Sequence, residues 1–217
     1  MQVTDRPLPP LHAVTDDDVL ARPDFERVAG EVLAAGGAGV ALHLRAPHAS
    51  GRRMHELAVR LMEVARAAGS LLVVNDRVDV ALAAEANGVQ LGRRGIAVAD
   101  ARRVVGDEMR VGVSVHTIGE AREAAEAGAE WLLAGAIFET ASHPGQAGVG
   151  TGLIVQVAAL GRPVIGIGGV TPERVAEVCG AGAAGVAAIR GIWDQPSPAS
   201  AARAYIEAWQ SCRSPRR

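Results

Sequence analysis

The stretch Pro163-Val164-Ile165-Gly166-Ile167-Gly168-Gly169-Val170-Thr171-Pro172 decides the fold. Its first half is a short β-branched apolar run, the pattern of a strand buried on both faces. Gly168 and Gly169 then free the backbone of side chains at the point where it has to turn. Thr171 followed by Pro172 reads as an N-cap with proline at the first helical position. A strand, two glycines and a helix start expose backbone N–H groups, which suits a phosphate. The same residues also suit a tight strand-to-helix turn that binds nothing.

Outward from this stretch, short apolar runs alternate with longer helix-patterned ones. Strands are predicted at Leu11–Thr15, Val40–Arg45, Leu71–Asn75, Val89–Leu91, Arg110–Ser114, Trp131–Ala134, Pro163–Ile167 and Gly185–Ile189. Helices follow at Phe25–Ala35, Arg53–Ala68, Val78–Ala86, Val98–Val105, Ile118–Ala127, a segment ending at Leu160, Pro172–Ala181 and Pro198–Gln210. Eight strand–helix repeats in 217 residues imply an α/β fold, a single-domain (β/α)8 TIM barrel over residues 11–212. Residues 1–10 read as a loose proline-rich leader, and residues 213–217 as a disordered tail.

Composition narrows the function classes. Hydrophobic residues make up 49% and aromatics 3%, so the core must be built from small side chains. A net charge of −2 gives no electrostatic case for nucleic acid or an acidic membrane as partner. All 22 basic residues are arginine, which excludes Schiff-base chemistry at a lysine amine. Cys179 and Cys212 have no metal-type spacing, and a reducing interior suits them better than a disulfide framework. With no long apolar segment and no signal-like N-terminus, the chain reads as soluble and cytoplasmic. Apolar helix faces on small barrels often pair; a homodimer is left open.

In a parallel barrel the chemistry sits at the C-terminal ends of the strands. There the sequence offers His43 and Arg45, Asn75 and Asp76, the Leu91-Gly92-Arg93 corner, Ser114 with His116, Glu139 to His143, Gly168-Gly169, and Arg190-Gly191. Gly168 and Gly169, with Arg190 and Gly191 after the eighth strand, form a phosphate site in which Arg190 adds a side-chain fork. Its alternative is a solvated surface arginine. Period-two alternation puts His43 and Arg45 on one face and Leu42 and Leu44 on the other, toward the helices. His43 is then a general acid or base in the mouth. Read structurally, the pair is a polar plug, a histidine bonded to a neighbouring strand and an arginine paired with Asp76. One carboxylate, Asp76, is thin support for magnesium. The loop Glu139-Thr140-Ala141-Ser142-His143-Pro144-Gly145 suits a lid over substrate.

Together these segments resemble the thiamine phosphate synthase/TenI family. The resemblance runs through His43-Leu44-Arg45, Val74-Asn75-Asp76-Arg77-Val78-Asp79, Gly88-Val89-Gln90-Leu91-Gly92 and Gly112-Val113-Ser114-Val115-His116-Thr117. Phe138-Glu139-Thr140, the glycine stretch and Ala181-Gly182-Ala183-Ala184-Gly185-Val186 continue it. Two activities are implied. The synthase branch joins a thiazole phosphate to an aminopyrimidine diphosphate and releases pyrophosphate. Its Gln-x-Arg-x-Lys at the end of strand two reads His43, Arg45 and Pro47 here. Where it has a second acidic metal ligand after strand four, this chain reads Gly92-Arg93-Arg94-Gly95, and its loop lysine after the strand-six threonine is missing. The tautomerase branch converts a carboxythiazole phosphate to its aromatic tautomer without a metal. Its acid–base histidine, two residues before Phe-Glu-Thr, is replaced by Ala136.

The expectation is therefore a cofactor-free thiazole tautomerase acting on a phosphorylated thiazole. His143 serves as mobile proton shuttle and His43 as the fixed one; Arg45, Asn75, Asp76, Ser114, Glu139 and Thr140 hold substrate. The alternatives are thiamine phosphate synthase, which would call for Mg2+, and a non-catalytic phosphate-ligand or regulatory relative.

Overall fold

The computed structural model describes residues 7–93, 95–140, 145 and 147–213. Eight parallel strands close a barrel in chain order: β1 (Leu11–Val14), β2 (Val40–Leu44), β3 (Leu71–Asn75), β4 (Gly88–Leu91), β5 (Arg110–Val115), β6 (Trp131–Ala134), β7 (Val164–Ile167) and β8 (Gly185–Ala188). The TIM-barrel expectation holds, and each strand falls within one residue of its predicted bounds at either end. β1 pairs with both β2 and β8, so among the described residues no sheet edge is left open.

The helices cover the outside. They are α1 (Asp17–Leu20), α2 (Phe25–Gly36), α3 (Gly51–Ala68), α4 (Val78–Ala83), α5 (Val98–Val105), α6 (Ile118–Glu126), α7 (Gly152–Ala158), α8 (Val175–Gly180), α9 (Arg190–Trp193) and α10 (Pro198–Arg213). The four-residue α1 and α9 sit where loops were expected, after β1 and β8. Periodicity cannot reveal a single turn. Pro172–Arg174 forms a 3-10 turn before α8, and Thr171 makes no capping bond. Its side chain bonds the Glu173 side chain instead.

Period-two alternation divides the core in two. Leu42 and Leu44 pack outward with Phe25, Leu33, Leu57 and Leu61 of the helices. Val14, Val73, Trp131, Leu133, Ile165 and Ala187 fill the barrel interior. A chain poor in aromatics spends one indole here. A Cβ on Gly88 would lie 3.1 Å from the Trp131 ring, so glycine makes room for it. Trp131 Nε1 donates to Gln90 Oε1 at 2.8 Å, and Gln90 Nε2 donates to Ser114 Oγ at 3.1 Å.

Three expectations need correction. Leu8 packs on the interior cluster, and the Pro10 carbonyl accepts from Val186 N–H at 2.8 Å, so the chain joins the barrel before Leu11. α10 runs through Arg213, one residue into the expected tail; residues 1–6 and 214–217 lie outside the described residues. Cys179 and Cys212 are joined in a disulfide that ties α8 to α10 across 33 residues. Spacing along the chain carried no sign that the two helices are neighbours. Among the described residues no helix is long and apolar enough to cross a membrane.

α10 also steadies the turn after β7. The buried Tyr205 hydroxyl donates to the Val170 carbonyl at 2.7 Å. Tyr205→Phe leaves that carbonyl unpaired in a closed site and should cost about 1–2 kcal/mol in chemical denaturation, with the barrel intact by circular dichroism.

Candidate active site

The C-terminal strand ends open into one cavity of about 1000 Å³. Its wall brings together Arg45, Asn75, Asp76, Ser114, Glu139, Thr140, Gly168, Gly169, Arg190 and Gly191, all expected from sequence. Arg93, Asp16 and Arg174 add to the charged lining, and His116 adds an imidazole.

The glycine corner is built by backbone. Gly168 (φ 99°) and Gly169 (φ 61°) both adopt left-handed conformations that other residues rarely take. A Cβ on Gly168 would lie 2.6 Å from Ala136 Cα, and one on Gly169 would lie 2.9 Å from Phe138 Cβ. The carbonyls of four successive residues are turned to protein donors. Ile167 accepts from Ile137 N–H (2.8 Å), Gly168 from Phe138 N–H (2.9 Å), Gly169 from Arg174 Nη1 (2.9 Å) and Val170 from Tyr205. What the corner can offer a ligand is its amide edge, suited to an anion.

Arg190 is on the wall but is not a free fork. Its guanidinium lies 3.4 Å from Asp194, 3.6 Å from Asp18 and 3.8 Å from Asp16. The hydrogen bond to Asp194, with the Asp16 and Asp18 charges behind it, raises its pKa above the ordinary arginine value. An anion at the corner meets an arginine already shared among carboxylates.

Across the mouth, β2, β3 and β4 supply the second charged region. The buried Thr15 hydroxyl accepts from Arg45 N–H and donates to the Arg45 carbonyl, both at 2.8 Å, which fixes where Arg45 leaves β2. Asp76 sits at φ 59°, a conformation aspartate tolerates, and its Oδ1 accepts from Gly92 N–H at 2.7 Å. Arg93 follows directly and is exposed. Among the described residues, neither Arg45 nor Arg93 has a carboxylate within ion-pair distance. The expected Arg45–Asp76 pair is absent.

His43 does not face the mouth. Alternation places it inward, as expected, but one level too deep: it is fully buried, and its Nε2 lies 2.7 Å from Nδ1 of the equally buried His12 on β1. The Pro9 carbonyl and the Asn75 side chain approach the outer ring nitrogens without completing hydrogen bonds. Burial pushes the His12 pKa down to about 4. Burial, with the His12 charge second, pushes His43 well below the ordinary value. A sealed, neutral imidazole pair is a polar plug in the barrel, and the proton-shuttle expectation for His43 is withdrawn. His143, the other expected shuttle, lies outside the described residues.

Sequence reading passed over several residues. His12 shares the inward face of β1 with Val14, so alternation could have paired it with His43. Thr15 gave the signal of a hydroxyl ending a strand beside Arg45. His116 was noted without a role; it is exposed on the wall, its N–H and Nδ1 at 2.6 and 3.3 Å from Glu120 Oε2. Arg174, reaching back from a turn, left no local signal.

A divalent cation fits poorly here. Among the described residues no three His, Cys, Asp or Glu side chains gather to hold a metal. Asp76 is the carboxylate at the β3–β4 corner, one of its oxygens is engaged by Gly92, and Arg93 lines the same cavity.

Fold and mouth together define a class, a (β/α)8 barrel with a glycine corner after its seventh strand and guanidinium groups on its rim. Residues 11–192 match the family described as thiamine monophosphate synthase. The chain is 38% identical over 208 residues to the thiamine-phosphate synthase of Haloarcula marismortui, covering 94% of this chain and 98% of that one. It is 47% identical over 155 residues to the thiamine biosynthesis bifunctional protein ThiM/ThiE of Symbiobacterium thermophilum, covering 70% of this chain and 32% of that protein, so it spans about a third of that relative. Its fold superposes on the thiamine phosphate pyrophosphorylase of Pyrococcus furiosus with a TM-score of 0.82 at 28% identity, covering 95% and 98% of the two chains. This chain therefore belongs to the thiamine monophosphate synthase family, a family of thiamine biosynthesis.

Two predictions follow from the geometry. Gly169→Ala forces a strained φ and puts a Cβ 2.3 Å from the Glu139 carbonyl oxygen. It should cost about 1–3 kcal/mol in urea unfolding, and the folded variant should bind inorganic phosphate about tenfold or more weakly by calorimetry. The imidazole pair sets the second. Folding lowers both histidine pKa values, so the unfolded chain takes up protons that the barrel refuses. Stability is full above the unfolded value of about 6.5 and falls as pH drops toward 4, approaching about 1.4 kcal/mol per pH unit for each imidazole. Urea unfolding between pH 7.5 and 5, above the carboxylate range, should show this slope, and His43→Gln should flatten it.

Proposed function

We propose that the chain is a thiamine-phosphate synthase, joining a thiazole phosphate to an aminopyrimidine methyl diphosphate with release of pyrophosphate. The observation that carries this is the pairing of two anion-suited regions across one cavity: the glycine corner on the β7–β8 side and the Arg45–Arg93 flank of β3 on the other. A ring phosphate and a diphosphate are two separate anions, and the cavity of about 1000 Å³ has room for both partners. Relatives named thiamine-phosphate synthase, matched over nearly their full length, support the same reading.

The bond changes suit these residues. The thiazole nitrogen, which carries no proton, contributes its lone pair to the new C–N bond. The C–O bond of the pyrimidine methylene breaks, and its electron pair leaves with pyrophosphate. No proton has to be removed from the ring, and the demand on the protein is alignment and stabilisation of the departing negative charge. Tautomerisation, the first expectation, asks for an acid–base group at the ring. His43 is sealed away, and among the described residues His116, tied to Glu120, is the imidazole on the wall. Arg45 is then the diphosphate-side contact fixed by Thr15, Ser114 is the rim hydroxyl oriented through Gln90, and the glycine corner seats the thiazole phosphate.

Incubating the protein with both substrates should release pyrophosphate in step with the coupled product. Arg45→Ala should lower kcat/KM by about tenfold or more, roughly 1.4 kcal/mol of transition-state stabilisation. Conversion of a carboxythiazole phosphate without pyrophosphate release would return the reading to an isomerase. Stabilisation by ligand without turnover would support a binding protein.

A further inference from the structure

We propose that this chain binds the leaving diphosphate through guanidinium groups without a divalent cation, Arg93 supplying the positive charge that a metal ion would otherwise bring. The inference rests on the synthase reading for the identity of the ligand and on the β2–β3–β4 rim for its chemistry.

Magnesium at a phosphate site needs oxygen donors from protein as well as substrate. At this corner the carboxylate donor is Asp76, which already has a structural task, and the neighbouring Asn75 side chain is turned toward the buried His43. Asp76 Oδ1 accepts the Gly92 N–H, and the loop after β4 closes over it so tightly that a Cβ on Gly95 would lie 3.0 Å from the same oxygen. Arg93 leaves the loop one residue beyond that contact and lines the same cavity as Asp76 and Arg45. A cation placed between Asp76 and a bound diphosphate would meet Arg93 as a like charge. An anion placed there meets two guanidinium groups, from β2 and from the loop after β4, that make no direct ion pair among the described residues; Arg45 acts on Asp17 and Arg93 on Glu120 only at longer range. Each can present a fork of N–H donors to phosphate oxygens. The other two arginines of the wall are committed elsewhere: Arg190 to Asp16, Asp18 and Asp194, and Arg174 to the Gly169 carbonyl and the Phe138 ring. The rim therefore carries two guanidinium groups outside direct ion pairs beside one hydrogen-bonded carboxylate, with Asp17 and Glu120 at longer range. This arrangement offers N–H donors to an anion more readily than oxygens to a cation.

The test uses inorganic pyrophosphate and protein freed of metal with EDTA, titrated by calorimetry with and without added Mg2+. Affinity in EDTA should stay within about threefold of that in Mg2+. Arg93→Ala, an exposed position checked for folding by circular dichroism, should weaken metal-free binding by about tenfold or more. Arg93→Asp, which introduces a second carboxylate on the rim, should bind pyrophosphate only when Mg2+ is present. Loss of wild-type binding in EDTA with recovery in Mg2+, or no binding in either buffer, overturns the proposal. Turnover of the two organic substrates is measured separately. Its absence in both buffers removes the synthase reading, while the pyrophosphate titration still decides whether the anion seat works without metal.

Discussion

Closure of β8 onto β1 is the constraint from which the rest of this structure follows. Parallel strands of four to six residues cannot stand alone, because each edge would leave a row of backbone donors and acceptors unpaired. Pairing Leu11 with Val186 and His12 with Ala187 removes both edges at once. It also points all eight strand ends the same way, so that residues as distant in sequence as Arg45, Asp76, Arg93 and Gly169 meet around one opening. The Pro10 carbonyl extends the seam by one bond below Leu11. In a chain with small side chains, the interior must then be filled with what the strands provide. One indole, two imidazoles and a glutamine share that space, and each polar member finds another: Trp131 with Gln90, His12 with His43.

The same closure explains why the two sides of the mouth differ in charge. α1 and α9, one turn each, follow the two strands that seal the barrel, and they bring Asp16, Asp18, Asp194 and Arg190 together. In the proposed site, backbone amides of the glycine corner would attract an anion against nearby carboxylates, with Arg190 neutralising part of their field. The β2–β4 side differs, with Arg45 and Arg93 outside direct ion pairs among the described residues and the Asp76 carboxylate bound to backbone. An anion of higher charge is better served on that side, and one held by many backbone N–H groups at the glycine corner. The cavity is thus polarised along its length, which suits two different anions better than two copies of one.

Much of the fold was legible because parallel barrels write themselves into sequence as buried β-branched runs separated by helix patterns. Strand faces were legible too: Leu42 and Leu44 outward, His43 inward. Depth was not. Alternation gives the side of a strand on which a residue lies but not its height along the barrel axis. His43 is one residue before the end of β2, and that difference separates a catalytic base from an interior plug. Arg45, two residues further on, does reach the mouth. The acid cluster on Arg190 and the Cys179–Cys212 link were illegible for another reason, since both join segments brought together by barrel closure.

The absence of lysine gives the site its remaining character. A guanidinium stays charged across the accessible pH range and holds its donors in a plane, whereas an amine can surrender its proton in a closed site. The arginines of this mouth are therefore not proton sources, whether committed to protein partners like Arg190 and Arg174 or outside ion pairs like Arg45 and Arg93. The deep imidazoles are excluded from the role by burial. Chemistry that depends on moving a proton has few groups to call on among the described residues. Chemistry that depends on holding two anions apart and letting one depart has Arg45, Arg93 and the amide edge of Gly168-Gly169. That imbalance in the side-chain inventory, more than any single contact, is what supports the proposal of group transfer over isomerisation.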